Sequence, residues 1–326
     1  MSEEKPPTMD VLIDTDPGMG TLGSEPEDAL AITMALVSPE VAVRAITCVH
    51  GNVPVRHAYA NAAHLLELLG RTDVPLAAGE EHPLLGARRR EPLRWLAERD
   101  ACERLLPPAQ PPYAQPRAVE TILRTARASD GLTIVAIGPL TNLAAALVAD
   151  PALSSRLKQV VVMGGAFEVP GNVTPTSELN FYMDPKAAQI VLESGVRPVG
   201  LDVCHQTHLT SRQIAATGFT TELGRFVQRA CASWLPAIAA SEDQGPHLYD
   251  TLAVAGAFRP ELLTLETAFV QIETASEAGA GTSLAWLPGR PSAWSRPNGG
   301  ENALVATGVD VAGFEELFAD RVLARS

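Results

Sequence analysis

The feature that most limits the fold of this chain is the regular alternation of short β-rich runs with longer helical patterns. Asp10–Asp16 (DVLIDTD) reads as a first strand and Glu27–Val37 as a helix. Val41–Val49 reads as a second strand, and Val55–Leu69 as a helix with one apolar face. Gly131–Ile137, Gln159–Met163 and Arg197–Asp202 read as further strands, with helices at Leu140–Val148 and Pro185–Ser194 between them. Helical patterns run from Ser211 to Phe258, followed by mixed β segments and a last amphipathic helix at Val311–Leu323. Strands separated by helices imply parallel pairing through crossovers. Ala109–Pro116 and Gly279–Gly300 read as loops, and neither marks a domain boundary.

In sheets of this kind ligands bind beyond the carboxyl ends of the strands. Here those ends carry Asp14-Thr15-Asp16-Pro17-Gly18, His50-Gly51-Asn52, Ile137-Gly138-Pro139, Met163-Gly164-Gly165 and Asp202. Carboxylates, amides and free carbonyls so gathered suit a hard cation and a polyhydroxyl ligand. The net charge of −13 argues against a grip on nucleic acid, which needs a basic patch. The only basic run, Arg88 to Arg90, is short and is followed by Glu91. A mean hydropathy of +0.07 and the lack of a long apolar run argue for a soluble protein without a membrane partner. Cys48, Cys102, Cys204 and Cys231 show no disulfide framework, and MSEEKPPTMD has no signal-peptide core, so the cytoplasm is the expected location.

Gly18-Met19-Gly20-Thr21-Leu22-Gly23 is formally a GxGxxG between a strand and a helix, the mark of a dinucleotide site. Asp14 and Asp16 precede it, and Glu25, Glu27 and Asp28 crowd the helix start where a pyrophosphate would sit. The second strand also lacks the acidic residue that would hold a ribose of NAD. An oxidoreductase therefore rests on the glycines alone. The same acids can converge on one cation; equally, Asp14 can cap a turn while Glu27 and Asp28 favour the helix dipole. Cys204-His205 with His208 is an incomplete zinc set, more simply loop and core packing, and His57 and His64 sit on a helix pattern as surface or core residues.

DTDPG followed by an acidic pair and ALAI resembles the DxDPGxDD signature of the inosine–uridine-preferring nucleoside hydrolases. ITCVHGN at 46–52, IGPLTN at 137–142, VMGG at 162–165, Gly171-Asn172, Glu178-Leu179-Asn180, Asp184-Pro185, VGLDVCHQ at 199–206 and Tyr249-Asp250 follow in the family's order over nearly the whole chain. The resemblance implies one α/β domain over residues 1–326, with residues 1–8 expected to be flexible. Its sheet would be open, mostly parallel and twisted, with helices on both faces. It also implies a calcium ion held by Asp16, Asp28, the Ile137 carbonyl and Asp250. Glu27, Asn52, Glu178 and Asn180 match ribose contacts, Met163 and Asn172 match the sugar-pocket lining, and Asp14 matches a supporting carboxylate. The implied reaction is hydrolysis of a nucleoside's N-ribosidic bond with Asp16 as base, by a homodimer or homotetramer. The alternative is a non-catalytic riboside-binding relative or assembly partner.

Three departures lie toward the base-binding side. Residues 20–26 are inserted before an acidic pair that is Glu27-Asp28 rather than two aspartates. Arg88–Arg104 stands where a histidine-glycine loop is usual, and Tyr249 stands where many members carry a histidine acid. Tyr249 is either that acid or an aromatic wall for the base. The insert is expected to affect base choice more than cation affinity.

Overall fold

A computed structural model of the chain describes residues 8–85, 90–104, 106, 117–209, 247–290 and 299–325, with a few positions between 221 and 228. Residues 1–7, the 109–116 loop, Cys231 and most of the 211–246 helical pattern lie outside the described residues.

The parallel strands are β1 (Met9–Thr15), β2 (Val41–Cys48), β3 (Leu76–Ala78), β4 (Leu132–Ala136), β5 (Leu157–Met163) and β6 (Arg197–Val199). They form one sheet in the order β3-β2-β1-β4-β5-β6. The chain leaves β1 toward β2 and returns to β4 on the other side, so the order reverses between β1 and β4. A ligand crevice is expected outside that point.

The helices are α1 (Glu27–Val37), α2 (Val55–Leu68), α3 (Arg90–Asp100), α4 (Ala118–Ala128), α5 (Thr141–Ala149), α6 (Leu153–Arg156), α7 (Leu179–Met183), α8 (Pro185–Leu192), α9 (Leu201–Cys204), α10 (Asp250–Phe258) and α11 (Val311–Arg321). Val11, Ile13, Val135 and Val161 face a core shared with α1, α10 and α11. Leu12, Ile134, Val160 and Val162 face a second core shared with α4, α5 and α8. Alternate residues of each strand thus feed opposite cores, which is why these strands read as nearly unbroken apolar runs. The expected helix-covered parallel sheet is the one observed.

The late β segments form a separate antiparallel sheet, in the order β8-β7-β9, from β7 (Leu263–Ile272), β8 (Ser283–Trp286) and β9 (Ala303–Val309). Ala303 bridges to Val196 just before β6, which covers that edge of the main sheet. One strand end differs from expectation. β6 stops at Val199, and Asp202 falls in α9 with its carboxylate accepting from the backbone N–H groups of Phe167 and Glu168 at 3.0 and 2.7 Å. Asp202 therefore fixes a loop and does not join the acids at the strand ends.

Candidate active site

The crevice at the β1/β4 reversal opens into a small cavity lined by Glu25, Asn52, Ile137, Met163, Asn172, Glu178, Leu179, Asn180, Tyr249 and Asp250. Its deepest supports come from β1. Asp14 accepts from Thr47 Oγ1 on β2 at 2.6 Å and from Asn142 Nδ2 on α5 at 2.8 Å. Asn142 also donates to the Cys48 carbonyl and accepts from Glu80 N–H, so one amide ties together the ends of three strands.

Asp16 Oδ2 accepts from Asn52 N–H at 2.6 Å, while its Oδ1 is buried without a hydrogen-bond partner. Asp28, in the first turn of α1, accepts from Thr15 Oγ1, Asp16 N–H and Asn52 Nδ2 at 2.5, 3.1 and 3.1 Å. Asn180 Nδ2 donates to the carbonyls of Ile137 and Met163, each at 3.2 Å. Close approach needs glycine here: a Cβ at Gly51 or Gly138 would meet the Asp16 carboxylate at 1.9 or 2.6 Å. Glu178 lines the cavity and caps α7 through Asn180 N–H and Phe181 N–H, with Gly165 N–H as a third donor. Asn172 Oδ1 accepts from Leu179 N–H at 3.0 Å.

Glu27 departs from its expected place. Its carboxylate turns away from the cavity lining and accepts from Asp250 N–H, Thr251 N–H and Thr251 Oγ1. α10 begins at a tyrosine with no side-chain cap of its own, and Glu27 satisfies the orphan N–H groups from across the interface. The residue that does enter the cavity is Glu25, from the inserted segment. Glu25, Asp28 and Asp250 bring carboxylate oxygens within 4.8 Å of one another, the metal-capable group found among the described residues. The insert, expected to affect base choice more than cation affinity, thus brings a carboxylate to the metal-capable group. The sequence places Glu25 among the acids at the helix start but gives it no site role, since the acidic pair next to ALAI matches the family signature; Pro26, which fixes the chain just before α1, is the signal that sets Glu25 apart.

Burial without counter-charge dominates the electrostatics. Desolvation lifts Asp14, Glu27 and Glu178 to about 7 and Asp28 to about 6, against the pull of their hydrogen bonds. Asp16, Glu25 and Asp250 are pushed well above the carboxylate range, first by burial and next by the charge of Asp28. Among the described residues no lysine or arginine pairs with any of these acids. An all-oxygen donor set with a buried, unpartnered Asp16 oxygen fits a hard divalent cation and fits a thiolate-seeking metal poorly. Burial pushes the Cys204 thiol up, and Cys204 belongs to no metal-capable group among the described residues.

The glycines of the formal GxGxxG do not make a phosphate loop. Gly20 and Gly23 adopt φ of 114° and 75°, and the segment turns outward to bridge Thr21 to Arg104. On the opposite wall the Tyr249 ring lies 5.8 Å from that of His247 and 6.3 Å from that of His205. His247 in turn contacts His205 and His208 at 4.6 and 4.5 Å. Of these imidazoles the sequence singled out His205 and His208 but not His247, which lies two residues before Tyr249. A wider hollow of about 640 Å³ lies between the start of α2 and α3, and its lining holds no group of converging acids.

Comparison with known proteins agrees with this geometry. The chain is 36% identical over 272 residues to a probable uridine nucleosidase 2 of Arabidopsis thaliana, covering 81% of this chain and 82% of the relative. It is 36% identical to the pyrimidine-specific ribonucleoside hydrolase RihA of Escherichia coli O8, covering 96% and 97%. The solved plant nucleoside hydrolase PpNRh1 superposes with a TM-score of 0.83 at 32% identity, over 98% of this chain and 100% of that one. The family model for inosine-uridine preferring nucleoside hydrolases matches residues 11–316, and with the strand-end acids in place the chain belongs to that family of enzymes.

Proposed function

We propose that this protein hydrolyses the N-ribosidic bond of a nucleoside or modified nucleoside, giving ribose and free base, and that it does so with calcium. The observation that carries this reading is the buried, unpaired set of carboxylates at the sheet's reversal point, with Asp16 Oδ1 unpartnered. Asp16, Asp28, Asp250 and the Ile137 carbonyl are the residues that would hold the ion. When bound, calcium supplies a grip on the ribose hydroxyls and a lowered pKa for a water it holds.

The rest of the chemistry belongs to the chain. Cleavage builds positive charge on the sugar, and surrounding carboxylates stabilise that charge more than they stabilise the ground state. Asp16, fixed through Asn52 N–H, takes the proton of the attacking water at its free oxygen. Asn52, Asn180 and Glu178 orient the ribose, with Met163 and Asn172 along the pocket. Tyr249, on the lining beside His247 and His205, donates a proton or hydrogen bond to the departing base. Asp14 keeps β1, β2 and α5 in register beneath. A cytoplasmic homodimer or homotetramer is part of the same reading. No helix among the described residues is long and apolar enough to cross a membrane.

The test is calorimetric titration of chelator-stripped protein with calcium, followed by a reducing-sugar assay across purine, pyrimidine and modified ribosides. Stoichiometric calcium and ribose release from at least one riboside are expected. Calcium without ribose release would favour the non-catalytic relative, and no calcium would sink the site.

A further inference from the structure

We propose that Glu25, carried by the inserted segment 20–26, is a further ligand of the cation site beside Asp28 and Asp250. The inference rests on reading the cleft as a cation site. Its first support is position: Glu25 lines the cavity with Asp250, Asn52 and Ile137, and its carboxylate reaches the oxygens of Asp28 and Asp250. Its second support is Asp16 Oδ1, fully buried and unpartnered, on an aspartate whose field Glu25 shares. Three carboxylates whose oxygens lie within 4.8 Å of one another, beside a buried unpartnered oxygen on the neighbouring Asp16, need a positive charge from outside the chain.

The insert is built to hold Glu25 there. Thr21 N–H donates to the Gly18 carbonyl at 3.0 Å and Ser24 N–H to the Thr21 carbonyl at 3.1 Å, which closes the segment into a tight double turn. Leu22 N–H donates to the Glu103 carbonyl at 2.8 Å, and Thr21 pairs antiparallel with Arg104. Arg99 donates to the Gly23 carbonyl at 3.2 Å. A Cβ at Gly18 would lie 2.8 Å from Ser24 Cβ and 2.9 Å from the Glu25 carbonyl, so the turn is packed down onto the strand end. Two of the three departures from the family pattern, segment 20–26 and residues 99–104 of the second region, therefore brace one another. What they deliver to the cavity is a carboxylate.

The competing role is local: the Glu27 backbone N–H hydrogen-bonds the Glu25 carboxylate, so Glu25 can serve as a cap for α1. The two roles have opposite signatures. A cap lost by Glu25→Gln lowers the melting temperature with and without calcium alike. A ligand lost relieves like-charge repulsion in the stripped protein and raises its melting temperature, while calcium binding weakens.

The experiment measures calcium affinity by isothermal titration calorimetry, and melting temperature with and without calcium, for wild type, Glu25→Gln, Glu25→Asp and Asp250→Asn. Glu25→Gln should weaken calcium by roughly 10-fold or more and stabilise the stripped protein. Glu25→Asp keeps the charge but shortens the reach, so it should weaken calcium without that stabilisation. Wild-type affinity in both Glu25 variants, while Asp250→Asn loses the ion, would overturn the role of Glu25 alone. A wild type that binds no calcium, or binds it as Asp250→Asn does, would overturn the cation site and this inference with it.

Discussion

The acids at the strand ends and the segments that overhang them, 20–26 and 90–104, are held in different ways. Asp14 lies on β1, Asp16 just beyond its end and Asp28 at the start of α1, and their partners come from β1 and its end, β2, α5 and the 50–52 loop. Every one of them is fully buried. α3, by contrast, buries only Pro92 and Leu96, and its Arg94–Glu98 pair is exposed on both sides. It is tied down by single contacts: Trp95 Nε1 to the Gly51 carbonyl at 3.0 Å, Arg99 to Gly23, and Asp100 to Arg56 and His57. The floor is thus a network in which each group has several supports, and the rim is a set of separate ties. Changes to the floor should be severe and nearly independent of substrate, and changes to the rim, Glu25 aside, mild and substrate-dependent.

The largest effect is expected at the floor. Asp16→Asn removes the proposed base, and ribose release should fall on the order of 10²–10⁴-fold on every riboside tested. Asp250→Asn should lose bound calcium as well as activity with the fold intact by circular dichroism. Retention of wild-type turnover in either variant would dissolve the distinction between floor and rim.

Tyr249 stands where the two regions meet. Tyr249→Phe should slow a natural nucleoside by about 10²-fold, the lower end of the range for a general acid. It should barely slow p-nitrophenyl riboside, whose leaving group needs no proton. Equal losses on both substrates would assign Tyr249 to orientation, and no loss on either would leave it as an aromatic wall.

What could be read from the sequence follows the same division. Parallel strands buried on both faces announce themselves as apolar runs, so β1, β2, β4 and β5 were placed within a residue or two. The reversal point gathers their ends whatever the loops do, which made Asp14, Asp16 and Ile137 legible as strand-end groups, whereas Asp28 and Asp250, in the first turns of helices, came in as ligands only through the family resemblance. The rim depends on which of several nearby acids turns inward, and order along the chain does not state that. Glu27 and Glu25 are two residues apart, yet one satisfies the N–H groups of α10 and the other enters the cavity. Asp202 was misplaced for a related reason: three residues of β6 are followed at once by α9, and an apolar run does not reveal where a strand becomes a helical turn.

His50, buried behind the floor, gives a smaller effect with a definite sign. Burial and His82 nearby lower it to about 3, and its Nε2 shares a hydrogen bond with Thr141 Oγ1 at 3.1 Å. The folded protein keeps His50 neutral while the unfolded chain protonates it near 6.5. Its contribution to stability is therefore complete above about pH 6.5 and is lost as pH falls toward 3, by up to about 1.4 kcal/mol per pH unit. The buried acids of the floor act in the opposite direction, so the useful measurement is a difference. Denaturant unfolding of wild type minus His50→Asn, from pH 7 to 5, should show wild type losing its advantage as acid is added. A pH-independent difference would mean that His50 is not neutral in the fold.

The smallest effect is expected from Trp95, which ties α3 to the floor loop. Trp95→Phe keeps most of the ring and removes only the Nε1 donor to the Gly51 carbonyl. One neutral hydrogen bond contributes about 1 kcal/mol, and that carbonyl sits in a loop with other anchors. Gly51 N–H donates to the Val53 carbonyl, and Asn52 is held by Asp16 and Asp28. The loop should therefore stay in place while α3 gains freedom over the cleft. The expected result is a KM raised a few-fold, unequally across ribosides, with kcat and calcium affinity retained. A fall in kcat comparable to that of Asp16→Asn would show that α3 holds the floor itself. Equal KM changes on every riboside would show that the rim binds the sugar and takes no part in choosing the base.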